Sequence, residues 1–370
     1  MKIEELIEEL QEAQDSRQEW KIQHKIGDII AITIIGTLAG CDEWKQIYLF
    51  STFHEKTLRE YLELPNGLPS SDTIRRVMAI VDPGFLQKMR DKWNELLSKG
   101  EGEKLRKILA IDGKTQCGNG NVNQAPNHIV SVVDEEGVCI GERVVDDKSN
   151  EITAIPELLK KLKIKGQIIT IDAMGTQREI ASQIRKQKAD YVLSLKRNQC
   201  SLYDDIAMYF SDDDFVKKCE YSKKVEKARG GIEQREYWQT DDILWLSQRA
   251  KWTGLKTIGM SRNTINRNNK TTIQTRYFIS SLEKDVNELA RCIRGHWIVE
   301  SFHWHLDVTF CEDANQTLEK QAAFNLNILR KFALHILKVA DIGDKYTSIK
   351  NKRMYIAHDP IRYLKLVFNL

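Results

Sequence analysis

Two segments decide how this chain is read: ILAIDGKT (108–115) and IITIDAMGTQREIASQIRKQKADYVLSLK (168–196). Each opens with a four-residue apolar run that is too short for a helix and suits a buried strand. Each run ends in an aspartate, Asp112 and Asp172. A helix is expected from about Gln177 to Lys188, and the β-rich run Tyr191 to Leu195 follows it. A carboxylate projecting from the end of one buried strand beside a second such strand makes a natural site for a hard divalent cation, which prefers oxygen ligands.

Working outward, His128 to Val133 and Val138 to Val145 read as two strands around the turn Asp134-Glu-Glu-Gly137. Asn150 to Leu162 has helical spacing at Ile152, Ile155, Leu158, Leu159 and Leu162. Three strands, a helix, a strand, a helix and a strand is the order of an RNase H-like core, in which the first and fourth strands are neighbours. A helix is expected over Leu202 to Phe210. Residues 212–283 then alternate in strand fashion (Glu236 to Thr240, Leu255 to Met260, Thr275 to Ile279), broken by Gly230-Gly231 and the polar turn Arg262 to Lys270. This region reads as a β-rich insertion. Helices resume at Asp285 to about Asp307 and Gln321 to Val339.

Residues 1–98 read as an all-helical N-terminal domain. Ile3, Leu6, Ile7 and Leu10 form a stripe, and Asp28 is a candidate cap for the apolar segment after it. Ser70 or Ser71 is expected to cap a helix carrying Ile74, Val77, Met78 and Val81 on one side and Arg75 and Arg76 near the other. A helix, a tight turn and a helix with paired arginines fits a helix-turn-helix that binds DNA. A helical bundle with a solvated basic face fits equally. The expected organisation is mixed α/β: a helical domain over 1–98, a catalytic domain over 104–340 with its insertion, and a C-terminal tail over 341–370.

The helix after Asp285 supplies a third acid. Its stripe Val286, Leu289, Ala290, Ile293 and Trp297 continues into Glu300, which puts a carboxylate on the face expected to be buried. Burying an unpaired carboxylate costs several kcal/mol, which a cation would remove. His296 and Asp307 lie on the same side. A structural ion pair to Arg294 is the plainer reading of Glu300 alone. Zinc bound by His296, Glu300 and His303, with His305 nearby, is a weaker reading because no HExxH is present.

Bulk properties exclude several classes. Residues 1–20 carry two basic and seven acidic side chains, so the remaining 350 carry 54 basic against 46 acidic, a surplus compatible with a polyanionic partner without requiring one. The seven cysteines form no CxxC pair, which argues against a disulfide framework or zinc ribbon and for reduced thiols. The acidic N-terminus has no signal-peptide core, and the apolar run Ile29 to Cys41 is too short to span a bilayer. A cytoplasmic protein with no membrane association is expected.

The segments ELPNGLPSSDTIRRV (63–77), AIDGKT (110–115), VDDKSNEITAIPELL (145–159), TIDAMGTQ (170–177), YVLSLKRNQ (191–199) and RGHWIVESFHWHLDVTFCEDA (294–314) closely resemble the H-repeat-associated proteins, bacterial insertion-sequence transposases of the DDE type. The resemblance covers nearly the whole chain. It implies an RNase H-like transposase domain and metal-dependent cleavage and strand transfer on double-stranded DNA, at transposon ends and target. Mg²⁺ is the implied cofactor, with Mn²⁺ substituting, and a homodimer is the implied acting form. Asp112, Asp172 and Glu300 match the three acids, both catalytic and metal-binding; 127 residues separate the last two and leave room for the insertion. A broader group of transposases has Tyr-x2-Arg-x3-Glu-x6-Lys around the last acid. Here those positions are Ile293, His296, Glu300 and Asp307, so the phosphate-contacting Arg and Lys do not carry over. A protonated His296, Lys114, Lys196 and Arg197 are the substitute phosphate contacts to test. A recombination-promoting nuclease and an inactive DNA-binding relic are the rival readings.

Overall fold

A computed structural model describes residues 2–97, 106–145, 150–228, 231–267, 270–343 and 347–368. The expected junction at 98–104, the tip glycine Gly230 and the extreme C-terminus lie outside the described residues. Six helices come first: α1 (Ile3–Leu10), α2 (Ile26–Leu38), α3 (Trp44–Phe53), α4 (Glu55–Leu58), α5 (Ser71–Met78) and α6 (Pro83–Leu97). Then come β1 (Ile108–Thr115), β2 (His128–Asp134), β3 (Cys139–Val144), α7 (Glu151–Lys161), β4 (Ile168–Ile171), α8 (Arg178–Lys186) and β5 (Asp190–Leu195). After α9 (Cys200–Tyr209) and α10 (Asp213–Val216) follow β6 (Glu220–Ala228), β7 (Gly231–Thr240), β8 (Thr257–Arg267) and β9 (Lys270–Ser280). The chain closes with α11 (Val286–Trp304), α12 (Lys320–Val339), α13 (Ile349–His358) and α14 (Pro360–Phe368).

The protein is mixed α/β, and the nine strands among the described residues form one sheet in the order β3-β2-β1-β4-β5-β9-β8-β7-β6. β1, β4 and β5 run parallel, while β9 adds antiparallel to β5 through Val192↔Ser280 to Leu195↔Tyr277. The strands expected as an insertion therefore extend the central sheet. They also run further than the sequence indicates: the polar stretch Arg262 to Lys270, expected as a turn, is largely paired strand, with Arg262↔Thr275 through Arg267↔Lys270 in register. An exposed antiparallel ribbon needs no apolar alternation, so polarity concealed it.

Side-chain parity on the strands divides the core. Leu109 and Ile111, Ile169 and Ile171, and Tyr191, Leu193 and Leu195 face one side, where they pack with α7, α8 and α9 residues such as Leu158, Ile184 and Leu202. Ile108, Ile168, Val192 and Phe278 face the other side, beneath Leu289, Cys292 and Ile293 of α11. A third cluster joins the N-terminal helices to the C-terminal ones: Ile29, Ile34 and Met78 share a core with Leu326, Phe332 and Leu337 of α12 and with Ile356, Leu364 and Phe368 of α13 and α14. The segment expected only as a tail is thus largely helical. Its Arg353 guanidinium donates to the Thr37 carbonyl and to Asp42 Oδ1 at 2.6 Å.

Local signals explain the helix starts. Ser70 caps α5, its Oγ accepting from the Thr73 N–H at 3.2 Å. Asn150 does the same for α7. Asp28 is not the cap of α2; Lys25 is, and Asp28 lies buried in the first turn, accepting from Gln11 Nε2 at 3.0 Å. A carboxylate is still favoured there by the helix dipole.

Candidate active site

The alternation that sends Ile111 and Ile171 to one face sends the next residue of each strand to the other. Ile111 pairs with Ile171 in the parallel β1–β4 ladder. Asp112 and Asp172 therefore sit side by side on the α11 face, with strands at this spacing about 4.8 Å apart. β4 stops at Ile171, whereas β1 continues to Thr115 along β2. This corrects one expectation: Asp112 does not end its strand but lies within it. The sheet opens on one side of Asp112 because its neighbour ends. Gly113 points to the opposite face, where a Cβ would fall 2.1 Å from Glu151 Oε1 and 2.5 Å from His128 Nε2, themselves hydrogen-bonded at 2.6 Å. Only glycine fits that approach unless this pair moves.

Asp112, Asp172 and Glu300 line one cleft of about 330 Å³, together with Thr170, Ser194, Lys196, Arg276, His296 and Trp297. Glu300 is exposed to the cleft, not buried as the apolar stripe predicts. The buried face of α11 is Val286, Leu289, Cys292, Ile293, Val299 and Phe302, and Glu300 borders it where the sheet beneath has ended. Asp172 Oδ1 accepts from the N–H groups of Met174 (2.9 Å) and Gly175 (3.2 Å), which orients the carboxylate. Asp112 Oδ2 lies 3.5 Å from His303 Nδ1. Glu300 has no ion-pair partner among the described residues, so Arg294 does not neutralise it. The donor set is hard oxygen, which fits a divalent cation such as Mg²⁺ that keeps several waters and needs only one or two protein carboxylates. Among the described residues no three acidic, imidazole or thiol groups stand close enough to form a ready-made metal cage, and that holds for Asp112, Asp172 and Glu300 as for His296, Glu300 and His303.

The cationic candidates divide sharply. Lys196, one residue past β5 and on the α11 face, is exposed in the cleft. Arg197 does not line it. Lys114 is not a free phosphate contact. It is nearly buried, and its ammonium pairs with Asp307 (2.7 Å), Asp313 (2.9 Å) and Glu312 (3.4 Å), which raise its pKa above the ordinary lysine value against the effect of burial. A one-turn π-helix, His305–Thr309, follows α11 and carries Asp307 into this cluster. His296 lines the cleft and its Nδ1 is 3.1 Å from Thr170 Oγ1. Burial lowers its pKa, a shift that Asp112 and Asp172 only partly oppose, so the imidazole is neutral at pH 7 and not the protonated substitute expected. Arg75 and Arg76 lie on α5 away from the cleft, both paired with Asp72 at 2.9 and 2.5 Å.

The cleft also holds residues the sequence reading missed. Arg276 reaches it from β9, a strand brought to β5 by pairing across some 80 positions, and no local pattern marks it. Gln274 arrives the same way, while Ser194 comes from β5 and Tyr203 from α9.

A family model described as "Transposase DDE domain" matches residues 103–336. The chain belongs to the DDE transposase family. A second model, "DDE_Tnp_1-associated", matches residues 7–94 of this transposase. Among curated relatives, "Putative transposase YncI" of Escherichia coli O157:H7 is 35% identical over 367 residues, covering 96% of this chain and 93% of that protein. "H repeat-associated putative transposase YhhI" of Escherichia coli K12 is 34% identical over 348 residues, covering 91% of each. No helix among the described residues is long and apolar enough to cross a membrane.

Proposed function

We propose that this transposase cleaves phosphodiesters at insertion-sequence ends and joins the freed 3′-hydroxyl to target DNA, with Asp112, Asp172 and Glu300 as its catalytic and metal-binding acids on an RNase H-like core. The observation that carries the reading is that all three carboxylates line one cleft, two from adjacent parallel strands and one from the helix crossing them. Divalent cations held by these oxygens, Mg²⁺ or Mn²⁺, would promote ionisation of the attacking hydroxyl and stabilise the leaving oxygen.

The chain's own contribution is positional. The Met174 and Gly175 N–H groups fix one oxygen of Asp172 and leave the other to the cleft. His296, neutral and tied to Thr170, adds no competing charge beside the acids. Lys196 at the open rim is placed to meet a phosphate. The pairing of Lys114 with Asp307 and Asp313 ties the end of α11 to β1, which keeps Glu300 in register with Asp112. Double-stranded DNA is the substrate, a homodimer is the acting form, and the helices of 1–98, with Arg75 and Arg76, contribute to DNA binding.

The test is incubation with a plasmid carrying the DNA that flanks the coding sequence, with Mg²⁺ or Mn²⁺, beside Asp112→Ala, Asp172→Ala and Glu300→Ala. Metal-dependent joining by wild type, lost in all three variants, is the expected result. Cutting without joining would point to a nuclease, and DNA binding without cutting to an inactive relic.

A further inference from the structure

The cleft does not end at the carboxylates. Gln274, Arg276, Ile293 and Trp297 line it and also a second hollow that contains Arg262, Asn263 and Arg294. Arg294 and Trp297 in turn line a third hollow of about 650 Å³ between α11 and the ribbon β6–β7, which contains Ser222, Lys224 and Asn287. The three hollows share Trp297 and make one recessed surface around α11. Its charged side chains are of two kinds. Arg235 is held by Glu226 (2.7 Å) and Glu233 (2.5 Å), and Arg291 by Glu135 (2.6 Å). Arg276 and Arg294 have no carboxylate within ion-pair distance among the described residues; both lie against Trp297, at 5.1 and 6.0 Å from the ring centroid.

A guanidinium lying against an aromatic ring can still present its edge donors, which match phosphate oxygens; Arg276 gives one to Gln274 Oε1 at 3.4 Å and keeps the rest. Parity places Arg276 on the same face as Asp112 and Asp172, since Phe278, two residues on, packs in the core beneath α11. Lys114 is consumed, Asp307 is acidic and Arg197 lies outside, which leaves Lys196 and Arg276 as the cations lining the cleft with the acids.

From this geometry we infer that the α11 groove is a binding track for a nucleic-acid backbone, with Arg276 from β9 gripping the phosphate nearest the carboxylates and Arg294 from α11 gripping one further along. The inference rests on the reading of DNA as substrate, but not on catalysis. The track makes β9 part of the substrate site, so the sheet extension is a wall of the cleft.

The experiment is titration of a fluorescein-labelled duplex, made from the DNA flanking the coding sequence, across a series of salt concentrations without divalent metal. Proteins tested are wild type, Arg276→Gln, Arg276→Lys, Arg294→Gln and Lys163→Gln, the last exposed near the opposite end of β4. Each lost phosphate contact lowers the slope of log affinity against log salt by about 0.9. Arg276→Gln and Arg294→Gln should each show that loss and bind several-fold more weakly, Lys163→Gln should match wild type, and Arg276→Lys should keep the wild-type slope. Melting curves confirm folding. Unchanged slopes in both glutamine variants would overturn the track, as would wild type that shows no salt-dependent binding. A track that passes alongside protein that never cleaves would refute the catalytic reading alone.

Discussion

Replacing Lys114 by methionine separates two accounts of the lysine in AIDGKT. The side chain is 10% exposed and neutralises three carboxylates. Removing one partner of a buried ion pair costs about 3–5 kcal/mol because the remaining charge is stranded. Here Asp307 and Asp313 are about one-third exposed and can rehydrate, while Glu312 is sealed but keeps Asn327 at 2.7 Å and Arg330 at 3.6 Å. The loss therefore lies below that range, at about 2 kcal/mol. Urea denaturation should show it as a lower midpoint with an unchanged slope. DNA affinity and its salt dependence should stay at wild-type values, while cleavage slows because the end of α11 is no longer tied to β1. Full stability combined with a salt slope reduced by about one unit would refute this reasoning and make Lys114 a phosphate contact.

Three further outcomes follow from the packing. Glu142→Gln strands Lys331 and leaves the buried Arg90 with Asp91 at 2.8 Å as its one carboxylate, and should cost about 3 kcal/mol in chemical denaturation; a loss below about 1 would mean that the cluster contributes little. Gly113→Ala should break the His128–Glu151 hydrogen bond and lower stability by about 1–3 kcal/mol, with a smaller effect in a His128→Ala background; equal losses in both would dissociate the glycine from that pair. His335, buried beside Asn94, has its pKa pushed down to about 4. A base whose folded pKa lies below its unfolded value takes up more protons when unfolded, so its contribution makes stability fall as pH drops from about 6.5 to 4. The difference between wild type and His335→Gln should follow that window, reaching about 3 kcal/mol; a flat difference would show that the imidazole does not titrate there.

The parts legible in the sequence were those governed by short-range pattern. Ile168–Ile171 is β4 to the residue, Ser70, one of two candidates, caps α5, the helix expected from Asn150 starts there, and the three carboxylates that line one cleft stand out because two end apolar runs and one continues an apolar stripe. What escaped depends on long-range pairing or on burial. The strand β6 is polar and was passed over, Arg276 acquires meaning only when β9 joins β5, and the exposure of Glu300 follows from where β4 stops. Lys114 shows the converse: its placement beside a motif aspartate suggests a ligand contact, while its partners lie some 200 residues away in LDVTFCED (306–313).

The core shared by α2 and α12 bears on how the protein comes off the ribosome. Ile29, Ile30 and Ile34 are completely covered in the finished molecule, by a cluster that includes residues beyond 320. Chains still being synthesised, or cut short before α12, carry that greasy helix bare. The N-terminal segment must wait for nearly the whole message to be translated before its burial is complete, which makes premature termination products natural targets for chaperones and proteases.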